Sequence, residues 1–202
     1  MAKYDLIKME KKLSKYMDEN RFLHTRGVMY TCAALAMKYG YDLEKAQVAG
    51  LLHDSAKCIP NQKTLEMCEK HQIVCSTFEK THPFLLHAKL GAYIAKEKYG
   101  VEEEEILNAI TFHTTGRAQM SLLEKIVYTA DYIEPMRYKA PNLEKIRKLA
   151  FEDLDECIYE ITKDILSYLG DNSDNIDSMT QIAFQFYEKL HIERFEGKET
   201  NL

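Results

Sequence analysis

Apolar residues recur along this chain every three or four positions, which is the period of an amphipathic α-helix. Alternation with a period of two, typical of a half-buried strand, is essentially absent over windows of four or more residues. The pattern predicts an all-α fold. The predicted helices cover residues 6–17, 21–39, 42–53, a short segment from Asn61, 87–100, 102–113, 121–131, 142–150, 153–169 and 178–190.

Residues that favour helix ends support several of these boundaries. Ser121 and Glu124 have the spacing of a capping box before an apolar run. Residues 72–86 show no clear helical period, so we expect them to form a loop over a cleft. Gly170 and the Asp/Asn-rich stretch up to Asp177 are expected to separate the last two helices.

The domain organisation predicted from this pattern is simple. A length of 202 residues fits one domain with a sizeable core, and no internal repeat or low-complexity linker interrupts it. We therefore expect a single domain over residues 1–202, with a functional core at 20–140. Residues 142–192 are expected to form helices that pack on this core.

Composition narrows the classes of function. The net charge of -5 and the lack of a basic stripe disfavour a nucleic-acid binder. No apolar run reaches the roughly 18–20 residues of a membrane helix, and the N-terminal segment does not resemble a signal peptide. The five cysteines are odd in number and form no CxxC pair, which favours reduced thiols and a cytoplasmic location.

Several polar side chains fall on the apolar, inward stripes of the predicted helices. Four of the seven histidines do so, each in a different helix, and Asp131 lies on a stripe of Leu and Val. One such histidine is most often a satisfied core or surface residue. A buried, unpaired carboxylate, however, costs several kcal/mol. The set together therefore predicts a shared divalent metal site, drawn from His24, His53, Asp54, His87, His113 and Asp131.

The spacing of the first candidate ligands also limits the metal. Adjacent residues on a helix diverge by about 100°, so His53 and Asp54 can reach one ion only near a helix end, where the pattern places them. Two imidazoles with two carboxylates suit Fe, Mn, Co or Zn rather than Mg or Ca. His71, His82 and His191 lack such a context, and we expect them to be structural.

The order His24 … His53-Asp54 … Asp131 resembles the ligand pattern of the HD-domain metal phosphohydrolases. Within that superfamily the chain looks like the YqeK-type hydrolases, which are symmetrical bis(5'-nucleosyl)-tetraphosphatases. The resemblance covers roughly residues 20–140. It rests on the stretches Arg21–Val28, Leu51–Lys57, Leu86–Ala92, His113–Arg117, Ser121–Ile126 and Ala130–Arg137.

The resemblance implies a fold, a reaction and a ligand set. The fold is a helical HD-domain bundle, and the reaction splits diadenosine tetraphosphate into two ADP by attack of a metal-bound water. The implied metal is iron, with a second metal left open. The implied metal ligands are His24, His53, Asp54 and Asp131.

The resemblance also implies the substrate contacts. These are His24, Asp54, His87, His113, Thr114, Asp131 and Arg137. The residues expected to take part in catalysis are Asp54, His87, His113 and Lys57. Beyond the first ligand set, His87 and His113 can bind phosphate, protonate the leaving group or hold a second metal, whereas Lys57 can simply pair with Asp54 or cap a helix.

Other functions stay open from the sequence. The nearest is an HD-type phosphatase or pyrophosphatase that acts on deoxynucleotides or guanosine alarmones, since it needs the same metal site. A non-catalytic helical signalling module has no need of a complete ligand set. The expected partner is a small-molecule nucleotide, with no nucleic acid and no membrane, and a homodimer through the C-terminal helices stays open.

Overall fold

The computed structural model describes residues 3–170 and 176–199, and this part of the chain forms eleven α-helices and no strand. The all-α prediction is confirmed. The helices are α1 (Leu6–Leu13), α2 (Glu19–Tyr39), α3 (Leu43–Leu52), α4 (Asn61–Lys70), α5 (Thr77–Thr81), α6 (His87–Tyr99), α7 (Glu104–Phe112), α8 (Leu122–Ile133), α9 (Leu143–Leu149), α10 (Leu154–Leu169) and α11 (Ser178–Glu199).

The core is organised around α2 and α8. Helix α2 packs along α3 and against α8, and α8 also contacts α7 and α10. The outer layers follow from this arrangement, because α6 covers α7 and α11 covers α10. None of the helices in the described part of the chain is long and apolar enough to cross a membrane.

The segment predicted as a loop is partly helical. Residues 77–81 form α5, and a 3₁₀ turn at Pro83–Leu86 leads directly into α6. Ser76 and Glu79 form a capping box in which each side chain accepts a hydrogen bond from the other residue's backbone N–H. The loop prediction is wrong for residues 77–81 and 83–86, because the Ser-x-x-Glu capping box begins α5 and a 3₁₀ turn begins at Pro83.

The last helix is longer than its predicted range of 178–190. His191 lies 2.9 Å from the Glu156 carboxylate of α10, and Arg194 donates to Asp153 and Asp155 at the start of that helix. These contacts tie α11 to α10 beyond the predicted end. The predicted connection between the two helices falls mostly on residues 171–175, which lie outside the described residues.

Helix α3 approaches α2 closely at a glycine. A Cβ added at Gly50 would lie 2.8 Å from Cys32 Sγ and 3.0 Å from Met29 Cα, so only glycine fits without movement. His53 follows three residues later as the C-cap of α3. The close approach therefore places His53 beside the α2 residue His24, with their ring centroids 5.5 Å apart.

We predict that Gly50→Ala lowers the free energy of unfolding, because overpacking usually costs about 1–3 kcal/mol. The usual gain of about 0.5–1 kcal/mol for Gly→Ala in a helix offsets only part of this cost. Urea denaturation measures the change. Combining it with Cys32→Ala removes one of the two clashing groups and should recover part of the loss, whereas a more stable Gly50→Ala protein would contradict the packing described here.

Candidate active site

Five helices deliver polar side chains to one buried point. His24 lies in the second turn of α2, and Asp131 lies in the last turn of α8. The other side chains come from helix ends, where the chain turns and neighbouring residues can converge. His53 and Asp54 follow α3, His87 begins α6, His113 follows α7, and Thr114 is next in the chain.

Two histidines and two carboxylates form the first cluster. His24 Nε2 lies 3.1 Å from Asp131 Oδ1 and 3.7 Å from Asp54 Oδ2. His53 Nε2 lies 3.4 Å from Asp54 Oδ2 and 4.0 Å from Asp131 Oδ1. Both Nε2 atoms are buried and make no well-aligned hydrogen bond within the described residues. Such convergent, unsatisfied donor atoms fit a metal ion, and this nitrogen/oxygen set suits a transition metal.

The backbone fixes which nitrogen of His53 faces the cluster. His53 Nδ1 lies 2.7 Å from the carbonyl oxygen of Gly50, which can only accept. Nδ1 therefore donates to this carbonyl, which turns Nε2 toward the carboxylates. His87 and His113 are held in the same way, by the carbonyl oxygens of residues 84 and 110.

A second cluster adjoins the first. His87 Nε2 lies 3.1 Å from His113 Nε2, and Thr114 Oγ1 is within hydrogen-bonding distance of both rings. Lys57 Nζ is 3.3 Å from His87 Nε2. Asp54 joins the two clusters, since its Oδ1 lies 3.2 Å from His87 Nε2. The ligand atoms of His53, Asp54 and His113 also lie within 4.8 Å of one another, which leaves the second metal open.

The electrostatics of the site favour ionised acids and a neutral His87. Burial opposes ionisation of Asp54, but the neighbouring His53, His113 and His87 hold its pKa well below the usual range. The pKa of Asp131 is also lowered, because the contact of its carboxylate with His24 outweighs the opposing effect of burial. Burial lowers the pKa of His87 to about 4 and also lowers the pKa of Lys57.

Two arginines border the carboxylates. Arg137 Nη2 donates to Asp131 Oδ1 at 2.8 Å, and Arg137 Nε donates to the backbone carbonyl of Asp131. Arg21 Nη1 donates to Asp54 Oδ2 at 2.7 Å. Arg21 was not predicted, although its position three residues before His24 places it on the same face of α2.

Two cavities meet at Arg137. The larger, of about 510 Å³, is lined by α2 residues that include Arg21 and His24 and by the segment after α8. The smaller, of about 210 Å³, is lined by polar residues that include Thr114 and Arg137 and by the apolar side chains of Ile161 and Ile165. Tyr128 also lines this cavity, and its buried hydroxyl has no hydrogen-bond partner within the described residues.

The sequence model of the HD domain matches residues 21–136. The chain belongs to the HD domain family. A symmetrical bis(5'-nucleosyl)-tetraphosphatase of Bacillus subtilis is 38% identical over 157 residues, which cover 78% of this chain and 83% of the relative. A Staphylococcus aureus protein of the same name is 34% identical over 184 residues, which cover 90% of this chain and 94% of the relative.

A solved structure supports the same family. A crystal structure from Clostridium acetobutylicum, described as a "predicted HD superfamily hydrolase involved in NAD metabolism", is 37% identical with a TM-score of 0.87. The match covers 92% of this chain and 98% of that chain. The predicted HD fold, family and hydrolase class are thereby confirmed, and the His/Asp cluster can hold a metal ion.

Every residue predicted for the site lies in or beside the two clusters, and the roles given to them stay predictions. Glu134, which contacts His24 at 3.0 Å, was not among the predicted site residues although it lies within Ala130–Arg137. The sequence feature that could have indicated Glu134 is an acidic residue one helical turn after Asp131. Arg117, at the end of the stretch His113–Arg117, pairs with Glu124 at 2.7 Å.

We predict that the metal-free protein loses stability on acidification partly through His87. Its folded pKa of about 4 lies below the ordinary 6.5, so the unfolded chain binds more protons between these values and stability falls as the pH decreases. From pH 7 to pH 5 this contribution is roughly 2 kcal/mol. Urea denaturation of chelator-treated protein should show a smaller pH effect in His87→Asn, which keeps a donor for the Phe84 carbonyl. Equal losses in both proteins would contradict the assignment.

Proposed function

We propose that this protein is a metal-dependent hydrolase that splits diadenosine tetraphosphate symmetrically into two ADP. One observation carries the proposal, namely the convergence of two unsatisfied histidine Nε2 atoms and two carboxylates beside a pair of cavities. The curated relatives named as symmetrical tetraphosphatases support the choice of substrate.

In this proposal His24, His53, Asp54 and Asp131 hold the metal, and iron is the first candidate before manganese, cobalt or zinc. When bound, a divalent metal lowers the pKa of a coordinated water and polarises a phosphoryl oxygen. Both carboxylates are ionised at neutral pH because their pKa values are lowered. The site therefore needs no deprotonation of its acids before it takes up a cation.

The remaining polar residues act on the substrate. Arg137 offers a planar fork of donors to phosphate oxygens, and Lys57 and Thr114 supply further donors beside His87. A neutral His87, whose pKa is about 4, is suited to accept a proton at Nε2 rather than to donate one. We therefore assign stabilisation of the leaving ADP to His113 together with Arg137.

The two cavities account for a substrate with two nucleosides. Both are lined by Arg137, which suits a polyphosphate that contacts this arginine and places one nucleoside in each cavity. In the smaller cavity the apolar side chains of Ile161 and Ile165 fit the face of a base. A mononucleotide would fill only one of the two cavities.

The wider organisation is proposed on the same basis. Residues 20–140 form the metal-binding core, and residues 142–192 complete the smaller cavity through Ile161 and Ile165 of α10. The protein is proposed to act in the cytoplasm on a small-molecule nucleotide. A homodimer through the C-terminal helices stays part of the hypothesis.

Product analysis tests the proposed reaction. We expect the iron- or manganese-loaded protein to convert diadenosine tetraphosphate to ADP alone, with activity lost on adding a chelator. Equal amounts of AMP and ATP would keep the hydrolase but refute symmetric cleavage. Faster turnover of nucleoside monophosphates, deoxynucleotides or guanosine alarmones would assign the same metal site to another substrate.

We predict that His53→Ala removes the metal and lowers kcat at least about 10³-fold, because it deletes a ligand and leaves a three-residue set. Metal content by mass spectrometry and initial rates measure the two effects. His71→Ala is the control, since His71 pairs with Tyr93 outside the clusters. A His53→Ala protein that keeps one metal per chain and near-normal activity would refute the ligand assignment.

We predict that Ile165→Trp raises KM for diadenosine tetraphosphate at least about tenfold, because the indole fills the smaller cavity that Ile165 lines. Ser167→Trp is the matched control, since it introduces the same side chain at an exposed position of α10. Steady-state kinetics with both variants measure the change. An equal KM in both would place the second nucleoside elsewhere.

A further inference from the structure

Glu134 is a buried acid that the ligand set above does not use. It caps the C-terminal end of α8 with only 1% of its surface exposed. Its Oε1 lies 3.0 Å from His24 Nδ1, and its Oε2 accepts a hydrogen bond from the backbone N–H of Met136 at 2.6 Å. Both carboxylate oxygens are therefore engaged, one of them by a proposed metal ligand.

The ring of His24 donates its Nδ1–H to a different kind of acceptor from the rings of the other three histidines of the site. His53, His87 and His113 lie at helix ends, and each points Nδ1 at the carbonyl oxygen three residues earlier. His24 lies inside α2, where such carbonyl oxygens already accept the backbone bonds of the helix. An acceptor from another part of the chain is needed, and Glu134 supplies it.

The surrounding chain makes room for this carboxylate and fixes it. A Cβ added at Gly27, three residues after His24, would lie 2.5 Å from Glu134 Oε2. Arg147 of α9 holds the backbone around Glu134, since its guanidinium donates to the carbonyl oxygens of residues 133, 134 and 137 at 2.9, 3.0 and 2.9 Å. The carboxylate thus has a defined place between α2 and the segment after α8.

We infer that Glu134 is a positioning residue for the metal site. It accepts a hydrogen bond from His24 Nδ1, which turns Nε2 toward Asp54 and Asp131, and it would make that nitrogen a stronger electron donor to a bound metal. Loss of such a partner behind a metal-bound histidine typically weakens metal affinity 10–100-fold. The inference rests on the proposed metal site but assigns a role to a residue outside its ligand set.

The test compares two glutamates on the same helix. Glu134→Gln keeps the shape of the side chain but has one oxygen that can accept a hydrogen bond, where the carboxylate has two. The variant therefore loses either the contact with His24 Nδ1 or the hydrogen bond from the Met136 N–H. Glu124→Gln is the matched control, because Glu124 is also 1% exposed and uses both oxygens, on Ser121 and Arg117. Cobalt(II) titration of chelator-treated protein, followed by visible absorption, gives the affinity and reports the coordination.

We expect Glu134→Gln to weaken cobalt(II) binding about 10–100-fold and to change the absorption bands. Glu124→Gln should lower the melting temperature and leave both readouts unchanged. Gly27→Ala displaces the Glu134 carboxylate without changing its chemistry, and it should also weaken cobalt(II) binding. This variant supplies the test if Glu134→Gln does not fold.

One result would refute the positioning role of Glu134 alone, and another would refute the proposed metal site on which that role depends. If Glu134→Gln and Gly27→Ala both bind cobalt(II) like the wild type while His53→Ala does not, the positioning role is wrong and the proposed metal site survives. If the wild type itself binds no cobalt(II), manganese or iron, the metal site fails, and the role of Glu134 fails with it.

Discussion

The burial of Asp54 between four histidines is the constraint on which the rest of the site depends. Its side chain is only 3% exposed, and a carboxylate at such a depth costs several kcal/mol unless cations or hydrogen-bond donors compensate it. The described residues supply Arg21 and Lys57 nearby, and the histidines face it through Nε2. A bound metal ion would compensate the buried negative charge of Asp54 more completely, and the cluster is therefore well suited to a cation.

Helix ends make this concentration of polar groups compatible with an all-α core. A histidine at a helix end can place Nδ1 on a free carbonyl and turn Nε2 inward, as His53 and His113 do. The close packing of α3 on α2 at Gly50 then brings two such groups together. Catalytic geometry and core packing are therefore coupled, and a change in helix spacing would move the ligand atoms apart.

Much of this arrangement could be predicted from the sequence. The helical period placed His24, His87, His113 and Asp131 on inward stripes, and the chain break after His53-Asp54 predicted convergence at a helix end. The local pattern places Arg21 near His24 and Glu134 near Asp131, but it does not show that Arg21 meets Asp54 and Glu134 meets His24 across helices. Helix α5 is a different case, because the Ser76–Glu79 capping box that begins it is a local sequence pattern and could have been predicted.

Anomalous diffraction from crystals grown with manganese or iron tests the central claim most directly. The account predicts one strong peak between His24 Nε2, His53 Nε2, Asp54 and Asp131, at coordination distance from all four residues. A weaker second peak beside His87 and His113 would extend the site without contradicting it. A peak elsewhere in the molecule, with Arg137 and Arg21 still paired to the two aspartates, would contradict the account.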